Sequence, residues 1–181
     1  MKKSYNMYQA LLKKEVLIIG CGNPLLGDDG FGPAVIKQIE ENYPLKGNIG
    51  LLDAGTSFRD LLFDLLLLGE KLKTIIIIDA VDQEKRSPGD IFEIDMDQIP
   101  ENKIADYSLH QFPSSNMLKE LKAFAQIEVH FFAVQIETIP DCIEPGLSKA
   151  VEKSVTTMCR LILKRFTDMD INIHPKEYTS C

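Results

Sequence analysis

The chain has 181 residues, of which 45% are hydrophobic, and its 27 acidic and 20 basic side chains give a net charge of −7. This length predicts one compact domain, and the negative balance disfavours nucleic acid and anionic membranes as partners. The first 15 residues lack the apolar stretch of a secretory signal and no apolar run is long enough to span a bilayer, so we expect a cytoplasmic protein with reduced cysteines.

Strand and helix patterns alternate along the chain. Apolar runs predict five strands, at 16–19, 48–52, 74–78, 91–94 and 127–134. Apolar residues at helical spacing predict helices at 31–43, 58–68, 115–125 and 145–166. This order predicts a three-layer α/β fold, with a twisted, mostly parallel five-stranded sheet between helices on both faces. Residues 1–181 are expected to form one domain and a monomer, with 1–13 and 168–181 as loose ends.

The segment GCGNPLLGDDGFG after the first strand raises the question of a dinucleotide site. The fingerprint G-x-G-x-x-G needs a third glycine where this chain has Leu25. Asp28 and Asp29 would repel a pyrophosphate at the start of the next helix, although Asp53 could hold a ribose. A Rossmann-like nucleotide-binding protein is therefore the weaker alternative.

Carboxylates follow three of the predicted strands. Asp28 and Asp29 follow the first, Asp53 the second, and Asp79 comes directly after the run IIII of the third. His110 lies before the predicted 115–125 helix and would reach the same edge. Ligands of open parallel sheets bind outside the carboxyl ends of the strands, so these side chains are candidates for one site.

Asp29, Asp79 and His110 would form a mixed oxygen and nitrogen donor set. Such a set suits a borderline divalent metal such as nickel or zinc, with positions left open for substrate or water. Each residue also has a plainer interpretation. Asp28 could cap the following helix, Asp79 could be a hydrogen-bonded strand end, and His110 could be a cap or a surface residue.

The cysteines and the remaining histidines give weaker signals. We expect at least three of Cys21, Cys142, Cys159 and Cys181 to be small core residues, with Cys181 on a loose tail. His130 lies inside the predicted fifth strand and is expected to be structural.

Four segments in order, GCGNPLLGDDGFGPAV, LLDAGT, IIIIDAV and SLHQ, resemble the hydrogenase maturation endopeptidases. The resemblance covers roughly residues 16–163, and the stretch HQFPSSNML is most similar to the branch that serves the coenzyme F420-reducing hydrogenases of methanogens. It implies an endopeptidase that removes the C-terminal extension of a [NiFe] hydrogenase large-subunit precursor after nickel insertion. The precursor's nickel is then the recognition element.

The resemblance also implies roles for single residues. The family's metal-binding and catalytic positions fall on Asp29, Asp79 and His110, although the family often has glutamate at the first of them. Asp28 and Asp53 match positions for which a supporting role is expected. The resemblance further implies that the precursor supplies the nickel, and we expect cadmium or zinc to substitute for it.

The sequence offers no ordinary protease nucleophile. It contains no G-x-S-x-G and no H-E-x-x-H, and Cys21 has no evident His–Asn pair. We therefore expect a water molecule, activated by the metal or by a carboxylate as in an aspartyl-type protease, to attack the peptide. A non-enzymatic nickel-binding maturation chaperone with the same ligands is the principal alternative.

Overall fold

The computed structural model describes residues 10–11, 13–45, 47–58, 71–95 and 127–168, which are built around a five-stranded sheet. The strands are β1 (Val16–Cys21), β2 (Ile49–Gly55), β3 (Thr74–Val81), β4 (Ile91–Glu93) and β5 (Glu128–Gln135). They lie in the order β2-β1-β3-β5-β4. The pairs β1–β2, β1–β3 and β3–β5 are parallel, and the short edge strand β4 is antiparallel to β5. The predicted α/β class and mostly parallel sheet are confirmed.

The direction of the chain across the sheet reverses at β1. From β1 the chain continues to β2 on one side, and from β2 it continues to β3 on the other side of β1. In open α/β sheets the crevice at such a switch point, outside the carboxyl ends of the strands, is where ligands bind. Gly20 of β1 pairs with Ile78 of β3. The next residues of the two strands, Cys21 and Asp79, therefore lie side by side near the carboxyl ends of these strands.

Helices α1 (Phe31–Asn42) and α2 (Lys149–Asp168) cover one face of the sheet. Val35 and Ile39, four residues apart on α1, are fully buried together with Ile76 of β3. Full burial of such side chains stabilises a protein by about 1.5–3 kcal/mol each. Among the described residues, no helix is long and apolar enough to cross a membrane.

The second face of the sheet is also buried. Leu17, Ile19, Ile75 and Ile77 are fully buried in a cluster on this face, as the continuous apolar strands predict. Phe58 belongs to the same cluster. It is the one described residue of the helices predicted at 58–68 and 115–125, and the rest of both lies outside the described residues.

Strands β2 and β3 each extend three residues beyond their predicted ends. The sequence predicts that the second strand ends at residue 52, but β2 continues to Gly55 because Asp53 pairs with Gly20, and Gly55 with Cys21 across a bulge. Likewise β3 continues through Asp79, which pairs with Ala133 of β5. Both carboxylates therefore lie within the last residues of their strands and not after them.

The start of the last helix differs from the prediction of 145–166. Glu144 donates its N–H to the carbonyl of Leu25 at 2.9 Å and accepts the N–H of Gly27 at 2.9 Å. These bonds to a distant loop hold the backbone outside a helix. Ser148 then acts as the N-cap, since its hydroxyl oxygen accepts an N–H from the first turn of α2 at 3.4 Å.

The expectation of three core cysteines is wrong at one position. Cys21 and Cys159 are buried, at 4% and 1% exposure, but Cys142 is exposed. Cys142 lies in the loop between β5 and α2, two residues before Glu144, whose backbone is bonded to the loop at residues 25–27. Cys181 lies outside the described residues.

His130 lies in β5, as predicted, and connects three elements. Its Nδ1 is 2.7 Å from Oε1 of Glu93 on β4, and its Nε2 is 2.9 Å from Oε1 of Glu128. Arg165 of α2 reaches the other oxygen of Glu93 at 3.1 Å. The two carboxylates lie against opposite ring nitrogens, so they cannot bind one metal ion together with the imidazole. This cluster holds the edge strand to the sheet.

Candidate active site

The candidate site lies where β1 and β3 end, at the switch point of the sheet. Two of the three predicted ligands, Asp29 and Asp79, are located here with only 1% and 2% of their surface exposed. Asp29 belongs to a 3-10 turn (Gly27–Gly30) that follows β1 and packs against β3, whereas Asp79 belongs to β3. Burial of a carboxylate is costly unless it is hydrogen-bonded, paired or bound to a cation.

Asp29 is held by the loop that leaves β1. The N–H of Asn23 donates to its Oδ2 at 2.6 Å, a short charge-assisted bond that orients the carboxylate. Gly22 makes this approach possible, because its φ is +121° and a Cβ at this position would clash with the backbone oxygen of Asp29. That Cβ position is 3.5 Å from Oδ1 of Asp29, so the carboxylate is close to the end of β1.

Asp79 is oriented by its own strand. The N–H of Ala80 donates to its Oδ1 at 2.8 Å. Because side chains alternate along a strand, Asp79 is on the same side of β3 as Ile75 and Ile77. Cys21 belongs to the same cluster as these isoleucines. Asp79 and Cys21 are therefore neighbours on adjacent strands, which are about 5 Å apart in a sheet.

The thiol of Cys21 indicates how negative the site is. Burial raises the pKa of this thiol well above its ordinary value, and the charges of Asp79, Asp53 and Asp29 raise it further, in that order. All three carboxylates thus act on the same sulfur. A cysteine nucleophile needs surroundings that lower its pKa and favour the thiolate. Cys21 has the opposite surroundings and stays protonated, so it is not suited to attack a peptide.

Asp28 supports the site and does not cap α1. It is 1% exposed, and α1 has no side-chain cap at its N-terminus. Its Oδ2 accepts the N–H groups of Glu137 at 2.8 Å and Thr138 at 3.3 Å, and its Oδ1 accepts that of Ser148 at 2.6 Å. The proposed helix cap is therefore wrong. Asp28 instead joins the turn after β1 to both ends of the loop between β5 and α2.

Asp53 has a more local role. It is exposed at the end of β2, and its Oδ1 accepts the N–H of Gly55 at 3.0 Å. This bond stabilises the bulge where β2 leaves β1. Asp53 still contributes negative charge to the site through its effect on Cys21.

The third predicted ligand, His110, lies outside the described residues. Among the residues that the structure describes, no group of three or more His, Cys, Asp or Glu side chains could hold a metal ion. A metal at Asp29 and Asp79 thus needs a further ligand from elsewhere in the chain or from the substrate. The convergence of His110 with the two carboxylates stays a prediction.

Two glycines that were not predicted to have a role, Gly20 and Gly32, bring α1 onto the sheet. A Cβ on Gly32 would clash with the backbone oxygen of Cys21 and would lie 2.7 Å from that of Ile78. Opposite it, a Cβ on Gly20 would lie 2.5 Å from the oxygen of Gly32. Gly32 therefore allows the close packing of helix on strand. In the dinucleotide fingerprint the third glycine has this function, and this chain has Leu25 at that position. The sequence G-F-G-P, which places a glycine in the first turn of the predicted helix, could have indicated this close contact.

Fold and site together define an open α/β protein with buried carboxylates at the switch point of its sheet. The family model for hydrogenase maturation proteases matches residues 33–165, which include Asp79 and His110 and begin just after Asp29. The chain belongs to this family. It is therefore a hydrolase, an endopeptidase of hydrogenase maturation, and the nucleotide-binding alternative is not supported.

Similar proteins extend over most of the chain. A protein of Methanocaldococcus jannaschii described as a hydrogenase maturation protease is 40% identical over 153 residues, covering 83% of this chain and 96% of its own. The coenzyme F420 hydrogenase subunit delta of Methanothermobacter thermautotrophicus is 33% identical over 152 residues, covering 82% and 92%. The solved hydrogenase maturating endopeptidase HybD of Escherichia coli superposes with a TM-score of 0.70 at 26% identity, covering 90% of this chain and 98% of that one.

Proposed function

We propose that this enzyme is a nickel-dependent endopeptidase that removes the C-terminal extension of a [NiFe] hydrogenase large-subunit precursor after nickel has been inserted. In this scheme Asp29, Asp79 and His110 bind the nickel of the precursor and thereby place the scissile peptide. The metal is part of the substrate and not a resident cofactor of the enzyme.

The observation that carries the proposal is the burial of two carboxylates, Asp29 and Asp79, at the switch point. The backbone N–H of Asn23 donates to Asp29, and that of Ala80 donates to Asp79. Burial is the main reason that the pKa of Cys21 is raised, and the charges of Asp79, Asp53 and Asp29 raise it further. These neighbouring carboxylates support a site that takes up a cation. Two carboxylates and one imidazole are a donor set that nickel accepts.

The same donor set explains why the metal should arrive with the substrate. Three protein ligands leave open positions on a divalent ion and form no closed cage. The ligands that the precursor already holds on its nickel can fill those positions. We expect the isolated enzyme to bind nickel loosely, and cadmium or zinc to occupy the site in its place.

For the hydrolytic step we propose attack by water. The protonated Cys21 is unsuited as a nucleophile, and no G-x-S-x-G segment is present in the sequence. A carboxylate of Asp29 or Asp79 can accept a proton from the water that attacks the scissile carbonyl and return it to the leaving amide nitrogen as the C–N bond breaks. Binding of the nickel would thus supply both recognition and positioning.

The similarity to the coenzyme F420 hydrogenase subunit delta supports a narrower substrate. We propose the large-subunit precursor of a coenzyme F420-reducing hydrogenase, in the cytoplasm of a methanogen. Incubation with candidate precursors, each followed by gel mobility, would identify the one that is shortened.

The test of the proposed activity is intact-mass spectrometry of a nickel-loaded precursor after incubation with the enzyme. We expect loss of one C-terminal peptide with the wild-type chain, and no loss with Asp29→Asn, Asp79→Asn or His110→Ala. His174→Ala, in the segment 168–181 that is predicted to be a loose end, is the matched control and should cleave normally. Equal cleavage of nickel-free precursor by metal-depleted enzyme would contradict the nickel requirement. An unchanged precursor mass with the wild-type chain would instead indicate a binding protein.

A further inference from the structure

Two loops form a ridge beside the candidate site, which we call the lip and define as residues 23–27 and 137–146. The lip carries Leu25 and Ile143, which are 47% and 71% exposed. They are the exposed large hydrophobic residues of the described part of the chain, and both lie on this ridge. Single exposed apolar side chains are common, but their pairing on two bonded loops is typical of an interaction surface.

The lip is held rigidly. Glu144 exchanges two backbone hydrogen bonds with the facing loop, to the carbonyl of Leu25 and from the N–H of Gly27, each of 2.9 Å. Below these bonds, the buried carboxylate of Asp28 accepts N–H groups from both ends of the longer loop. A surface that is already ordered loses little conformational entropy on binding.

All charged residues of the lip are acidic, and they lie in its longer loop. Residues 22–36 and 136–148 contain no lysine or arginine. Glu137, Asp141 and Glu144 are exposed on the ridge, next to the exposed apolar side chains. A partner that fits this surface presents a large apolar side chain flanked by lysine or arginine.

We infer that the lip is the docking surface for the precursor protein, which it recognises through an apolar side chain flanked by basic residues. The inference rests on the proposed function, because it assigns recognition of the polypeptide to the lip and recognition of the metal to the carboxylates. The geometry supports this division. Asp29 comes two residues after the lip, in the turn that Asp28 fastens, so a partner on the lip lies next to the site.

Other occupants fit less well. A second copy of this chain would bring two acidic ridges together, on molecules that each carry a net charge of −7. An anionic membrane would be repelled by the same charges. A basic and apolar segment of the precursor satisfies both features of the lip.

The experiment measures initial cleavage rates against precursor concentration for the full chain. Leu25→Ser and Ile143→Ser are combined to remove the apolar contact, and Asp141→Asn with Glu144→Gln removes charge. Glu41→Gln, an exposed residue near the far end of α1, is the control. Because these side chains are exposed, urea unfolding midpoints should stay close to the wild-type value.

We expect the apolar double variant to raise the half-saturating precursor concentration at least about tenfold, or about 1.4 kcal/mol, with the maximal rate unchanged. With Asp141→Asn and Glu144→Gln combined, the half-saturating precursor concentration should depend less on salt concentration. Glu41→Gln should match the wild type. If the half-saturating precursor concentration of the Leu25→Ser and Ile143→Ser variant equals that of the wild type, the inference is overturned. It is also overturned if this variant changes its oligomeric state but processes the precursor normally. If the wild-type chain does not cleave, the proposed function fails. Biolayer interferometry of precursor binding to the wild-type chain and the double variant then decides the role of the lip.

Discussion

Replacement of Asp28 tests whether this residue fastens two distant segments or only ends a helix. Asp28→Ala removes the acceptor of three backbone N–H groups, at 2.6, 2.8 and 3.3 Å. A hydrogen bond to an ionised group contributes about 1.5–3 kcal/mol, and the longest of the three is weak. At the lower end of this range, two strong bonds predict a loss of about 3 kcal/mol in the free energy of unfolding.

The assay is urea unfolding at neutral pH, followed by circular dichroism. For a chain of this length we expect the melting temperature to fall by about 6–12 °C as well. Asp28→Asn keeps one acceptor oxygen and should lie between the wild type and Asp28→Ala. Asp53→Ala is the matched control, since Asp53 is exposed and accepts one local N–H from Gly55. Asp53→Ala should lower the free energy of unfolding by less than about 1 kcal/mol.

The result that refutes this reasoning is a small effect of Asp28→Ala. A loss of about 1 kcal/mol is what an ordinary helix cap contributes, and it would mean that the three bonds add nothing more. Amide exchange adds a local test, because the N–H groups of Glu137 and Ser148 should lose protection while those of β3 keep it.

Two predictions concern the thiols. Under native conditions iodoacetamide should modify Cys142 and spare Cys21 and Cys159, as measured by peptide mass spectrometry, because Cys142 alone of these three is exposed; rapid labelling of Cys21 would contradict the buried site. Burial raises the pKa of Cys159 from 9.0 to about 11. Between pH 9 and pH 11 the unfolded chain therefore binds fewer protons than the folded chain, and stability falls as pH rises. In urea unfolding, the stability of Cys159→Ala should fall less steeply with pH over this range than that of the wild type. Equal slopes of stability against pH would contradict a raised pKa of Cys159.

Much of the sheet is predictable because its strands are continuous apolar runs. The run IIII and its neighbours could only be buried, and β3 is indeed buried along its length. The strand ends were harder to predict, since Asp79 and Asp53 resemble stop signals. They remain in their strands because pairing with Ala133 and with Gly20 continues past the last apolar residue.

The location of the two aspartates was predictable, but their support was not. A carboxylate after β1 and one after the isoleucine run must meet at one edge of a parallel sheet. The partners of Asp28, by contrast, are backbone N–H groups 109 to 120 residues further along the chain. Backbone groups leave no side-chain signature in a sequence, so nothing in the residues at 137–148 indicated this contact.

The consecutive pair Asp28 and Asp29 combines two tasks that one residue cannot perform. Their 3-10 turn has about three residues per turn, so neighbouring side chains leave it in directions about 120° apart. Asp28 is thereby directed to the loop between β5 and α2, and Asp29 to Asn23 at the end of β1. The first fastens the lip and the second belongs to the candidate centre. A shift of one residue in this turn would move one aspartate into the other's direction and turn the second away from both, so the turn sets the position of the lip relative to Asp29.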